Sequence, residues 1–476
     1  LALDNRNTNV VDRVPDTVAI TANGGSINFF NQSGVVGDET VGALTLASGA
    51  NSISSTAAGA ATALTMGSLT RSAGATASFS GTSLGLTGST ARIIVGGQAT
   101  TAFLGGGYIS GTDFVKYDAG SDSGFALGVT PLLVGDYQTN SAETAWATGQ
   151  NLSRNTAGTT NLSANRAVNS MKFITAASTV NVNGNVLTAE SGGILFGITG
   201  SVISDAAAVT GSGLTAGTAA GAELFVHSTV AAATISSRIV DNGVGAVSLV
   251  YGGAAAANTL TLSGTNPNTY TGATYVNSGT MSLAKTAGVA AIPGDLFIRS
   301  GTVSLAAANQ IADGSNVSIG GLGGLSYGNL SLGANSETIN SLTIHSIGST
   351  VTNVSTAAST LTLQGTGSNV LTMTGGQINL ANAAAVLAFS GASGGGIEIL
   401  APSKVLAPTV LSTGGPYQSV LTGTAGSKID LNTTSTSLDR IITVADGPAP
   451  VDLLVSTILT NTTASNTTGI VKEGAG

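Results

Sequence analysis

Between positions 259 and 283 the chain reads TLTLSGTNPNTYTGATYVNSGTMSL, with apolar and polar residues alternating in short runs. In an extended run, Leu260 and Leu262 project to one face and Thr261 to the other. Each run is closed by Gly, Asn, Ser or Thr. The same grammar returns at Asp295-Leu-Phe-Ile298, Ser300-Gly-Thr-Val-Ser-Leu305, Val317-Ser-Ile319, Ser341-Leu-Thr-Ile344, Leu361-Thr-Leu363 and Gln377-Ile-Asn-Leu380. Strands this short, recurring at intervals of about eight to twelve residues, predict an all-β array of stacked rungs rather than hairpins. Residues 381–389, ANAAAVLAF, fit either one short helix or an alanine-rich rung.

The pattern also repeats at long range. Glu39-Thr-Val-Gly-Ala-Leu-Thr-Leu46 has its counterpart 298 positions on in Glu337-Thr-Ile-Asn-Ser-Leu-Thr-Ile344. Residues 1–55 therefore read as the tail of a repeat unit, and the whole sequence as a window on a longer repetitive chain. Two stretches depart from the grammar. Residues 103–146 hold seven of the 20 aromatics (Phe103, Tyr108, Phe114, Tyr117, Phe125, Tyr137, Trp146) together with Asp113, Lys116, Asp118, Asp122, Asp136 and Glu143. Large side chains are how an irregular segment finds a core, so this one is expected to leave the stack and pack on its flank, with Tyr117 and Trp146 as a candidate ligand surface. Residues 400–417 carry Pro402, Pro408 and Pro416, three of the nine prolines, and are expected to protrude or to lie at an edge.

Composition explains why stacking is feasible. Only 8% of the 476 residues are charged, against roughly 25% in ordinary soluble proteins. Coils about 4.8 Å apart place each residue over its counterpart. Like charges at that spacing repel by about 1 kcal/mol in water and by more in a drier setting, whereas Thr, Ser and Asn stack at no such cost. Hydrophobic residues at 42% and a mean hydropathy of +0.36 exclude a disordered chain. Coils of roughly 20 to 25 residues would give on the order of 20 coils.

The remaining signals exclude whole classes of function. Cysteine is absent, so there is neither a disulfide nor a thiolate metal site. A net charge of −8 leaves no basic stripe for nucleic acid, and no apolar run is long enough to be a transmembrane helix. His227 and His345 read as rung residues rather than as a pair of metal ligands. Gly320-Gly-Leu-Gly-Gly324 begins like a calcium-binding β-roll but has Leu325 where Asp is required, and no Lys-Ser/Thr follows Gly105-Gly-Gly107 or Gly192-Gly193, which read as turn glycines. Polysaccharide lyases and hydrolases need two or three convergent carboxylates. The dense groups here are Asp4/Asp12/Asp16 and Asp113/Asp118/Asp122, and neither has one-coil spacing. No catalytic, cofactor-binding or metal-ligating residue is assigned, and no cofactor is expected.

Asn268-Thr-Tyr-Thr-Gly-Ala-Thr-Tyr-Val-Asn-Ser-Gly-Thr280, followed by Ala291-Ile-Pro-Gly-Asp-Leu-Phe-Ile298, Gly301-Thr-Val303 and Asn309-Gln-Ile311, resembles the autotransporter-associated β-strand repeat. Lys472-Glu-Gly-Ala-Gly476 matches the usual lead-in of that motif, whereas the lead-in before Thr259 is degenerate. The resemblance implies a right-handed parallel β-helix with one or two irregular excursions, displayed or secreted at the outer surface of a Gram-negative-type bacterium. It brings no catalytic residue; Tyr270, Gly272, Val276, Gly279 and Thr280 carry over as structural positions.

The expected division is coils over 1–102, an excursion over 103–150, coils over 151–258, the repeat over 259–345, and further coils over 346–476. The expected function is a non-enzymatic fibre, stalk or adhesin shaft. It would associate end to end or within a longer chain, and surface glycans are a candidate partner. The alternatives are a carbohydrate-active β-helix enzyme and a glycan- or host-binding adhesin.

Overall fold

The computed structural model describes residues 1–10, 12–57, 59–86, 91–98, 100–120, 127–139, 142–321, 327–345, 350–353, 358–366, 369–390, 396–399, 418–431, 439–446, 450–461 and 469–476. Asp122, Phe125 and the proline-bearing stretch 400–417 lie outside them. The chain is all-β, 2% helical, and is a parallel β-solenoid of about 14 turns. It divides into two compact units, Leu1–Thr259 and Leu260–Gly476.

The second unit shows what the alternating pattern encodes. Strands Thr274–Ser278, Leu296–Ile298, Asn316–Ile319, Ser341–Ile344 and Asn369–Met373 pair in parallel, each with its counterpart one coil on. Their register stacks Val276, Ile298, Ile319, Ile344 and Met373 in one inward column, all fully buried. Met281, Val303 and Leu330 form a column on a second sheet, and Ile339, Leu363 and Phe389 one on a third. Each such side chain contributes about 1.5 to 3 kcal/mol through burial. Outward positions on the second sheet are small and polar, Ser282 lying beside Ser304 and Ser304 beside Ser331, whereas on the first sheet Tyr275 stacks on Phe297 with ring centres 5.1 Å apart. Residues 381–389 form no helix, because Val386–Phe389 is the next rung of the third sheet.

Corners are set by close approach. Gly279 turns at φ +75°, and a Cβ on Gly301 of the next coil would meet the Gly279 carbonyl oxygen at 2.8 Å. Asn and Thr ladders line the coils: Asn340 Nδ2 donates to Asn316 Oδ1 at 2.8 Å, and Thr45 and Thr70 hydroxyls meet at 3.1 Å. About 14 turns are formed rather than about 20, and coil length varies, the inward column stepping by 21 residues from Ile298 to Ile319 and by 29 from Ile344 to Met373. Gln310 reaches Lys285 across 25 residues and Thr374 reaches Ile344 across 30.

The first unit holds two coil stacks. In the first stack, Ile20–Phe30, Gly37–Thr56, Thr62–Arg71, Thr76–Ser80 and Ala91–Val95 pair in parallel. In the second, the parallel ladder runs from Tyr137–Thr139 through Asn151–Arg154, Arg166–Phe173, Val186–Phe196 and Ala222–Ser228 to Val247–Gly253. Between them the pairing changes sense. Asp113–Asp118 is antiparallel to Ala102–Phe103, to Tyr108–Ser110 and to Gly128–Pro131. A rung-only reading allowed no hairpin, and this one forms because Gly111, at φ +60°, closes a tight turn between Ser110 and Asp113.

Candidate functional site

The antiparallel junction is where the aromatic and acidic residues of the chain converge. Strand Asp113–Asp118 is buried on both faces because it lies between two cores. Val115 and Tyr117 pack into the core of the first stack with Phe79, Ile93 and Val95, while Phe114 packs with Ile109, Leu132, Tyr137 and Leu195. Tyr117 is 1% exposed and Trp146 is 5% exposed. Neither ring presents a face to a ligand, which corrects the expected binding surface: Tyr117 fills the first core, and the Arg154 guanidinium lies 5.7 Å from the Trp146 ring.

Asp118 is fully buried, accepts from Gly120 N at 2.7 Å through one oxygen and has no hydrogen-bond partner at the other among the described residues, whereas its charged neighbours in the junction are matched in pairs. Asp113 binds Lys172 of strand Arg166–Phe173, and Lys116 Nζ lies 3.2 Å from Asp136. Lys172 Nζ also sits 3.8 Å from the centre of the Tyr137 ring. Burial pushes the Tyr137 phenol up, and its oxygen accepts from Phe114 N at 3.3 Å. Arg71 of the first stack pairs with Glu223 of the second, whose other oxygen accepts from Gly74 N at 2.5 Å. Arg166 holds Glu143 below the usual carboxylate range. Each contact joins a segment of one stack or of the junction to another. Asp113, Asp136, Glu143 and Glu223 are each taken up by a cationic side chain, so these pairs act as a clamp between segments.

Four glycines shape this contact. A Cβ on Gly106 would meet Gly193 N at 2.4 Å, one on Gly107 would meet the Phe225 ring at 3.1 Å, and one on Gly193 the Phe114 ring at 2.8 Å. Gly192 does turn at φ +77°, but a Cβ there would also strike the Glu223 carbonyl oxygen at 1.9 Å. Gly106, Gly107 and Gly193 are therefore contact glycines rather than turn glycines, absent side chains letting two backbones touch.

A second polar feature runs through the coils. Glu337 is 1% exposed, yet its carboxylate accepts from Gln310 N at 2.8 Å, Ile311 N at 3.2 Å and Thr338 N at 3.1 Å. Gln310 Oε1 in turn accepts from Lys285 N at 2.9 Å, and Lys285 Nζ donates to Ser263 O at 3.0 Å. Each coil thus caps the backbone of the one before. Burial pushes the Glu337 carboxyl up to about 7. Glu39, also 1% exposed, repeats the device by accepting from Arg13 N at 3.1 Å and Val14 N at 2.9 Å. In both copies the receiving dipeptide follows an Asx residue at positive φ, Asp12 at 60° and Asn309 at 51°. The repeat relation exposed this signal, a glutamate kept in a column of apolar rungs, but its inward direction was not read.

The other sequence candidates scatter. Asp4 is exposed and ion-paired to Arg6 at 2.6 Å, which lowers it to about 2. His227 is buried and hydrogen-bonded, and His345 is half-buried with its pKa lowered by burial and by Arg299. No group of three or more His, Cys, Asp or Glu that could hold a metal occurs among the described residues. Of the repeat positions, Tyr270 is buried with its hydroxyl 2.5 Å from Thr274 Oγ1, and the Gly272 carbonyl oxygen would lie 3.2 Å from a Cβ on Gly294. Val276 is inward and Thr280 half-buried. A groove of about 490 Å³ lined by Ile442, Val444, Leu453, Leu459 and Ile470 has Asp452 and Lys472 as its charged members. One carboxylate does not make the pair that glycoside hydrolysis uses.

Fold and site thus define a parallel β-solenoid with a clamped internal junction. The chain is similar to an adhesin, the BmaC autotransporter of Brucella suis biovar 1 (strain 1330), at 27% identity over 305 aligned residues that cover 59% of this chain. The chain spans 8% of that relative's length. No family model matches the chain, and no solved structure does. No helix among the described residues is long and apolar enough to cross a membrane.

Proposed function

We propose that this chain is a non-enzymatic shaft segment of a passenger carried on the outer surface of a Gram-negative-type bacterium, in which stacked coils supply length and rigidity. The observation that carries the reading is the column of parallel rungs from Val276 to Met373, which repeats one inward apolar position coil after coil. Similarity to an autotransporter adhesin supports the surface location. The paired carboxylates of the junction support a scaffold rather than a hydrolase. End-to-end association and the binding of surface glycans belong to the same reading.

Protease treatment of intact cells bearing the tagged protein tests the location, and incubation of the purified chain with acidic and neutral polysaccharides tests the chemistry. Cleavage at the cell surface without release of new sugar ends is the expected result. Protection on intact cells would overturn the location, and steady release of sugar ends would overturn the structural role in favour of a carbohydrate-active enzyme.

A further inference from the structure

His227 lies in strand Ala222–Ser228 with Leu195 and Gly252 as its partners on the neighbouring strands. It is 3% exposed, and its Nε2–H donates to the Gly106 carbonyl oxygen at 2.8 Å, a carbonyl being able only to accept. The rings of Phe114 and His227 meet edge to face with centres 6.3 Å apart. Gly106 N donates in turn to Ser191 O at 3.2 Å, so this glycine is held to the second stack through both its backbone groups.

The charged and titratable groups around this contact are already engaged. Glu223, on the same strand, is bound by Arg71 and Gly74 N of the first stack. Asp113 of the junction is bound by Lys172, and Lys116 by Asp136. The Tyr137 hydroxyl accepts from Phe114 N. No carboxylate hydrogen-bonds the imidazole among the described residues.

We infer that the contact of Gly106 with His227 is an acid-sensitive clasp, and that protonation of His227 releases the antiparallel junction from the second stack. The new positive charge would sit beside Leu195, Gly252 and the Phe114 ring with no counter-ion among the described residues, so the charged form favours the opened arrangement in which water reaches the ring. Burial holds the closed imidazole near 4 against 6.5 for the free group. The open population should therefore rise roughly thirty-fold between pH 8 and pH 5.

Hydrogen exchange of the full chain tests this, comparing protection factors at pH 8 and pH 5 for peptides covering residues 102–118 and 222–228. The expected result is a loss of protection of about thirty-fold in both peptides for the wild type. His227→Gln, which keeps a donor for Gly106 but cannot charge, should show equal protection at the two pH values. Glu223→Gln should retain the wild-type pH response. Wild-type protection that does not change with pH would overturn the clasp without reference to any variant. So would a response that survives in His227→Gln or vanishes in Glu223→Gln, since the carboxylates would then be the acid-sensitive groups.

Discussion

The rungs of the second unit and the junction of the first are built from opposite materials. The column Val276, Ile298, Ile319, Ile344 and Met373 is apolar, in register and locally paired, each residue meeting its counterpart one coil away. The junction joins residues far apart in sequence through aromatics, glycines and ion pairs: Arg71 meets Glu223 across 152 positions and Gly106 meets His227 across 121. A column gains stability by repetition, and losing one member weakens its neighbours in turn. The junction relies on a few contacts between segments that each have a core of their own, so it should open locally while the stacks persist.

The largest effect expected from breaking that contrast is in the column. Ile319→Asp buries a carboxylate between Ile298 and Ile344, and should cost more than about 4 kcal/mol and abolish the cooperative unfolding of residues 260–476. Limited proteolysis reads this as rapid cleavage across that unit, with residues 1–259 left protected. A cut confined to the mutated coil would show that the rungs do not support one another.

The next effect is in pH. Glu337 has a folded pKa near 7 against 4.5 for the free group, so between those values the native unit holds a proton that the unfolded chain has lost. Its stability is therefore full below pH 4.5 and falls by on the order of 3 kcal/mol as pH rises through 7. His227 has the reverse sign. Its folded pKa is near 4 against 6.5, so the stability it supports is full above pH 6.5 and is lost as pH falls through 4. Local unfolding followed from pH 4.5 to 8 should thus trend in opposite directions around Gln310 and around Gly106. Glu337→Gln should flatten the first trend alone.

The smallest effect is at the ion pair between stacks. Arg71→Ala leaves Glu223, 9% exposed at its side chain, with Gly74 N as a remaining partner, and should cost about 1 to 2 kcal/mol. Faster exchange at residues 69–76 and 104–118, with unchanged exchange at residues 274–305, is the expected pattern. An equal loss in both places would erase the distinction between clamp and column.

What was legible in the sequence follows the same division. Period-two alternation is a local property, so Leu260 and Leu262 could be read as inward and Thr261 as outward from neighbours alone, and all three lie so. The parallel stacking and the scarcity of charge have one physical origin and could be read together. The junction could not, because nothing local shows that Phe114 and Val115 face two different cores. Its glycines look like turn residues until the second backbone is in place. Glu39 and Glu337 were visible as a repeat, but a glutamate in an alternating run reads as outward unless the backbone N–H groups waiting inside the previous coil are known.

The central claim is the one-coil register of the second unit, and the absence of native cysteine makes it directly testable. Ser304 and Ser331 are outward partners on adjacent rungs, whereas Ser304 and Asn329 are offset by two residues along the strand. Register partners lie within the Cα separation of about 4.4 to 6.8 Å that a disulfide needs, and the offset pair lies beyond it. Mild oxidation should cross-link the Ser304→Cys/Ser331→Cys chain quantitatively and leave the Ser304→Cys/Asn329→Cys chain reduced. Cross-linking of the offset pair with none between the register partners would contradict the solenoid described here.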